Sequence, residues 1–280
     1  MSQFVVNTVQ GIGDIFWVYQ KLAPYCDTLS LNIYCVDPNN TVQRRSEAFC
    51  RMLPKVRQVM FRKVPRSEYQ RLARSRFSVQ SVIGARNPVD YTVNAPLEAG
   101  VNLRDIDAHS KLDEFVDLGL PASVEREDYL CLFVAGAKSI NVWKPDVWAK
   151  HAMYLARRLG VARIALIGAE WDRAVQSEVH RILALRHEVV VYVGSPLEQT
   201  LDIIRRSRYF FGYQSGLNVL AENYNVPQLM VYFPKLRSML YTWCKPMSVR
   251  TIFHAMTFDC DAAKVIDALP LGISDEARTA

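Results

Sequence analysis

Between residues 129 and 232 one pattern recurs: a short apolar run, a turn containing glycine, then a helical spacing of apolar residues. The runs fall at 129–134, 163–167, 188–193, 209–211 and 228–232, and the helical stretches at 146–159, 169–185, 196–206 and 216–224. Gly160 ends the first of these helices; Asn225 and Pro227 stop the last. Strands that alternate with helices at this spacing have one economical arrangement, a parallel sheet with helices on both faces. The second half of the chain is therefore expected to be a Rossmann-like α/β domain.

The N-terminal half opens on the same unit. Residues 4–9 are apolar and β-branched and read as a buried strand; Ile15, Val18, Tyr19 and Leu22 then recur at helical spacing. Between them lies Gln10-Gly11-Ile12-Gly13-Asp14. Gly11 and Gly13 let the backbone turn tightly and let a ligand come close. The helix start beyond them offers free N–H groups and the positive end of the helix dipole. Asp14 at this mouth fits three roles: a helix N-cap, part of a dinucleotide site, or a catalytic carboxylate at the carboxyl end of the first strand. The second is weakened because position 16, where a third glycine belongs, is Phe. Further along, strands are expected at 29–36 and 56–64 and helices at 44–53, 67–75 and 112–118. Residues 77–105 give no clear pattern beyond a short strand over 90–93. The polar stretch 122–128 separates two pattern blocks. The expected organisation is 1–124, 125–255, and a final helix with its tail over 256–280.

With half of its 280 residues hydrophobic, the chain can bury a core, yet no apolar run approaches the roughly 20 residues of a membrane span. The N-terminus does not read as a secretion signal, so a cytoplasmic protein is expected. Six cysteines form no C-x-x-C pair and five histidines no H-x-x-x-H pair. Free thiols are therefore expected, and no protein-bound catalytic metal. The net charge of +6 is unevenly spread. Residues 44–86 hold twelve Arg and Lys against Glu47 and Glu68, so 12 − 2 = +10, and the rest of the chain carries −4. Most charge runs are solvated faces. A one-sided excess of arginine also suits a phosphate-bearing partner.

The turns after the C-terminal strands gather polar residues on one edge of the sheet. They are Gly136, Lys138 and Trp143 after the first strand, Gly168 and Glu170 after the second, and Gln214, Ser215 and Gly216 after the fourth. A Ser-Gly turn opening a helix can hold phosphate through backbone N–H groups. Glu222 lies on that helix, where it is a candidate for a ribose hydroxyl. Together with Gly13-Asp14, Val134-Ala135-Gly136-Ala137-Lys138, Trp143-Lys144-Pro145, Ile167-Gly168-Ala169-Glu170, Gln214-Ser215-Gly216 and Val226-Pro227, the chain resembles the GT-B glycosyltransferases related to the bacterial heptosyltransferases. The likeness covers most of residues 1–235. Two signature positions differ: Gln214 stands where the family has Asp, and Val219 where it has His.

The resemblance implies two Rossmann-like domains with parallel sheets facing across a cleft, and a final helix returning to the first. It implies inverting transfer of a sugar from a nucleotide-sugar, which serves as cosubstrate with no further cofactor. Asp14 would be the general base. Gly136, Lys138, Trp143, Glu170, Gln214, Ser215, Gly216 and Glu222 would hold the donor. The acceptor would lie on the first domain, with Gly11, Gly13, Arg44, Arg45, Arg71 and Arg74. Two polyanions suit that basic domain: a phosphorylated saccharide or lipid core, or DNA carrying a hydroxylated base. A non-catalytic nucleotide- or nucleic-acid-binding module on the same fold is the rival reading.

Overall fold

The computed structural model describes residues 3–23, 26–37, 41–75, 77–83, 91–92, 125–134, 143–232, 251–255 and 262–267. The helix expected over 112–118 lies outside them. The chain divides into two compact units, residues 1–122 and 123–280.

In the first unit, β1 (Gln3–Val9), α1 (Ile12–Leu22), β2 (Thr28–Cys35), α2 (Thr41–Arg51) and β3 (Val56–Lys63) are followed by α3 (Arg66–Ser75), β4 (Phe77–Ile83) and β5 (Tyr91–Thr92). The sheet order is β3-β2-β1-β4-β5. β1, β2 and β3 are parallel; β4 is antiparallel to β1, and β5 is antiparallel to β4. The expected parallel arrangement holds for β1, β2 and β3, and β4 adds an antiparallel neighbour to it. Its core is laid down by Val6, Leu29, Leu31, Ile33, Ile15, Val18, Leu22, Phe16 and Phe49. The last two rings meet edge-on at 5.9 Å. Lys55 donates to the carbonyls of Ala23 and Cys26 and so secures the chain after α1.

The register also fixes the course of α3. Lys63 stands beside Cys35 at the carboxyl end of the sheet, and Phe77 beside Thr8 near the same end. A helix of ten residues is about 15 Å long, and the three strand spacings from β3 to β4 total about 14 Å. Both ends of α3 are therefore near one edge, and the helix runs across the strands there. That edge carries the Gly11–Asp14 turn.

The second unit holds β6 (Glu127–Phe133), α4 (Pro145–Leu159), β7 (Arg163–Gly168), α5 (Arg173–Leu183), β8 (Glu188–Val193), α6 (Leu197–Arg206), β9 (Ser207–Tyr213), α7 (Gly216–Asn223), β10 (Gln228–Tyr232), β11 (Thr251–Ala255) and α8 (Ala262–Asp267). Its six strands are all parallel, in the order β11-β10-β9-β6-β7-β8. Counted from β6 this is 3-2-1-4-5-6, the Rossmann order. α4 buries Trp148, His151, Ala152, Leu155, Ala156 and Leu159 at helical spacing against Leu130, Leu132, Phe211 and Leu229. Among the described residues α8 packs on α4. Ile266 is fully buried in the second core, Tyr154 Oη donates to Asp267 at 2.9 Å, and Arg158 donates to the Ile266 carbonyl.

Candidate functional site

Each unit builds its candidate site on the carboxyl edge of its sheet. In the first unit β1 ends at Val9, and α1 begins with Gly11 as its N-cap residue. Asp14 is the third residue of α1, not its cap, so the N-cap role gives way to a place in the first turn. Gly11 has φ 143°, which L side chains rarely adopt, and a Cβ there would lie 2.9 Å from Asp14 Oδ2. The carboxylate thus folds back over Gly11, and glycine is what leaves room for it. Asp14 is half-buried and Gly13 buried.

The basic side chains of this unit fall in two groups. Arg44 and Arg51 on α2, Arg57, Arg62 and Lys63 on β3, and Arg66 and Arg71 on α3 are exposed. Arg51 is paired with Glu47 at 2.6 Å. Arg45 is half-buried and Lys55 is engaged by backbone carbonyls. The side chain of Arg74 lies outside the described residues. Since α3 runs along the carboxyl edge, Arg66 and Arg71 are carried on the edge that bears Asp14.

In the second unit the strand order reverses between β6 and β9, and ligands of open α/β sheets bind outside the carboxyl ends at that point. The loop leaving β6 contains Gly136 and Lys138, which lie outside the described residues. The loop leaving β9 is Gln214-Ser215, the start of α7. Ser215 Oγ accepts from the Leu217 N–H at 3.2 Å, and Asn218 Oδ1 accepts from the Ser215 N–H at 3.1 Å. This reciprocal cap uses two of the N–H groups a phosphate would otherwise find. The Gly216 N–H has no partner among the described residues. Gln214 is half-buried, donates its N–H to the Val231 carbonyl, and has a side-chain Oε1 shielded from solvent with no hydrogen bond.

Two expected donor residues have partners inside the second unit. Trp143 is 3% exposed, stacked on His151 at 4.3 Å and edge-on to Trp148 at 4.9 Å. It packs in the core of the second unit. Glu222 lies six residues into α7, about 9 Å from its mouth. Its Oε2 accepts from Gln228 Nε2 at 3.2 Å, and Gln228 also exchanges hydrogen bonds with Asn218. Glu222 thus belongs to an internal network. Glu170 stands at the carboxyl end of β7, paired with Arg173 through bonds of 2.6 and 2.7 Å. Those bonds hold its carboxyl below the usual range. Sequence reasoning missed Asn218 and Gln228. The Ser-x-x-Asn spacing at 215–218 was the signal for the first, and a polar residue opening an apolar strand the signal for the second.

The sequence matches no protein-family model, and no curated protein matches it. Solved structures do. The Escherichia coli heptosyltransferase WaaC with ADP aligns over 95% of this chain and 98% of its own at 13% identity and a TM-score of 0.60. A family 9 glycosyl transferase from Veillonella parvula aligns over 99% of this chain and 94% of its own, at 12% and 0.57. The E. coli ADP-heptose LPS heptosyltransferase II aligns over 95% and 97%, at 13% and 0.51. The chain has the GT-B fold. On the GT-B fold the two α/β units and the 3-2-1-4-5-6 order of the second are accounted for together. Among the described residues no three His, Cys, Asp or Glu side chains are grouped as metal ligands, and no helix is long and apolar enough to cross a membrane.

Proposed function

We propose that the protein transfers a sugar, with inversion and without a metal, from a nucleotide-sugar to a hydroxyl of a polyanionic acceptor. One observation carries the reading. Two glycine-opened helix starts, one holding a carboxylate and one a Ser-Gly turn at the strand-order reversal, stand on the carboxyl edges of two sheets in a fold shared with heptosyltransferases. In this reading Asp14 takes the proton of the acceptor hydroxyl while its oxygen attacks the anomeric carbon. The bond from that carbon to the diphosphate oxygen breaks on the opposite side. The departing charge is met by the Gly216 N–H, the dipole of α7 and Lys138. The Ser215 N–H joins them when Asn218 releases it. Gln214, with its unsatisfied Oε1, accepts from a donor hydroxyl.

The acceptor is held through phosphates by Arg44, Arg57, Arg62, Lys63, Arg66 and Arg71, which are exposed on three adjoining elements of the first unit. A phosphorylated saccharide and duplex DNA with a hydroxymethylated base both present that chemistry. The test is a chromatographic assay of nucleotide released from a panel of nucleoside diphosphate sugars, with each acceptor in turn. Release that depends on one acceptor, with the sugar recovered on it, supports the proposal and names the acceptor. Nucleotide binding without release under every combination would leave a non-catalytic binding module.

A further inference from the structure

The first sheet guards its free edge and the second does not. Edge strand β3 carries exposed Arg57, Arg62 and Lys63, charges that oppose pairing with another strand. Edge strand β8 reads Glu-Val-Val-Val-Tyr-Val, with one acid at its start and no Lys, Arg or Pro. Every residue of β8 is exposed or half-buried. Among the described residues the exposed large apolar side chains are Val36, Met60, Trp171, Leu185 and Val191, and two of these five lie in β8 or in the turn before it. Val191 is in the strand, 44% exposed; Leu185, 80% exposed, is in the turn before it. Trp171 adjoins Glu170 in sequence, and Glu170 Oε2 occupies the place a Cβ on Gly194 would take, at the far end of β8. A cavity of about 250 Å³ also opens beside the strand, with Ala165, Val190 and Tyr192 in its lining.

We propose that β8 pairs antiparallel with β8 of a second copy, joining two six-stranded sheets. The inference is independent of the catalytic reading. A twofold axis perpendicular to the sheet keeps each face on its own side, and opposed residues on an antiparallel pair share a face. The axis must therefore pass through a residue. Centred on Val190, it sets Val189 against the partner's Val191, Glu188 against the partner's Tyr192, and Arg186 against the partner's Gly194. This register is self-complementary, as an isologous contact must be. Leu185 is brought toward the partner's Trp171, apolar to apolar. Arg186, exposed, is brought to the partner's Glu170, which lies over Gly194. A carboxylate offers about four acceptor sites, and Arg173 takes two of those on Glu170. A foreign strand would need its own apolar group and cation at matching ends; a second copy supplies both by symmetry. A six-residue strand with its flanks covers less than the standard interface of about 1,600 Å², so assembly depends on concentration.

Sedimentation velocity over a concentration series tests this, with circular dichroism on each variant. The wild type should move from monomer to dimer. Val191→Lys, a charge on an exposed edge position, should weaken dimerisation at least tenfold with an unchanged spectrum. Val190→Cys should cross-link to its own copy under mild oxidation, while Val189→Cys and the wild type should not. A monomer at every concentration would overturn the proposal. So would a dimer indifferent to Val191→Lys, or one in which Val190→Cys stays uncross-linked. Should Val191→Lys disturb folding, the cross-link decides alone.

Discussion

Gly11 is the residue on which the position of Asp14 depends. Its φ of 143° and the 2.9 Å that would separate an added Cβ from Asp14 Oδ2 leave room for hydrogen alone. Gly11→Ala should displace the carboxylate, and a misplacement of about 1 Å costs on the order of 10²-fold in rate. Turnover should fall by that order while nucleotide affinity, which the proposed function assigns to the second unit, holds. Unchanged turnover would separate Gly11 from the chemistry. The buried thiols give a second expectation. Burial pushes Cys26 and Cys50 up to about 12 from an ordinary 9.0. Between those values the native state keeps protons that the unfolded chain loses. Stability should therefore fall as pH rises from 9 toward 12, by up to roughly 1.4 kcal/mol per pH unit for each group. Urea unfolding at pH 8 and pH 10.5 reads this, and replacement of both cysteines by alanine should flatten the difference; an equal slope in that variant would assign the loss to other groups. At this scale the helix starts at Gly11–Asp14 and Ser215–Gly216 were legible as local structure, because strand-glycine-helix junctions announce themselves. The burial of Trp143 and the Glu222–Gln228 bond were not legible, because chain position does not show a buried stack or an internal hydrogen bond.

Elements whose period and stop signals agree were legible: β8 and β10 match their expected bounds, and α4 differs by one residue at its start. β4 was not legible. Its sequence Phe-Ser-Val-Gln-Ser-Val-Ile mixes polar residues into both faces, and it starts one residue after α3. Nothing local shows that it lies antiparallel beside β1, because that follows from α3 being long enough only to cross the sheet edge. β11 was missed as well, as an edge strand supported mainly by pairing with β10. The cap of α7 makes the element-scale prediction. Asn218 holds the Ser215 N–H and bonds Gln228 in a buried place. Asn218→Ala should cost about 1–3 kcal/mol of stability through the lost cap and the orphaned amide. Nucleotide affinity should hold or rise, because a backbone N–H is released toward the phosphates. Calorimetric titration with nucleoside diphosphates checks it; a large loss of affinity in the folded variant would make Asn218 a ligand in its own right.

Across the whole molecule, charge and chemistry are divided between the units. Arg44, Arg51, Arg57, Arg62, Lys63, Arg66 and Arg71 are exposed on α2, β3 and α3 of the first, and the strand-order reversal with its Ser-Gly helix start belongs to the second. Arg62→Gln with Arg71→Gln should lower the slope of log K against log salt for a polyanion by up to about two units. Nucleotide affinity should not move. Filter binding at several salt concentrations reads both, and salt-insensitive binding would return these arginines to a solvated face. The most direct measurement is single turnover of a bound nucleotide-sugar by Asp14→Asn, alongside its equilibrium affinity for the same donor. The amide keeps the size of the carboxylate and removes its charge and its capacity to take a proton. Donor affinity is expected within about twofold of wild type, with turnover reduced by roughly 10²–10⁴-fold. Near-normal turnover with intact binding would contradict Asp14 as the general base.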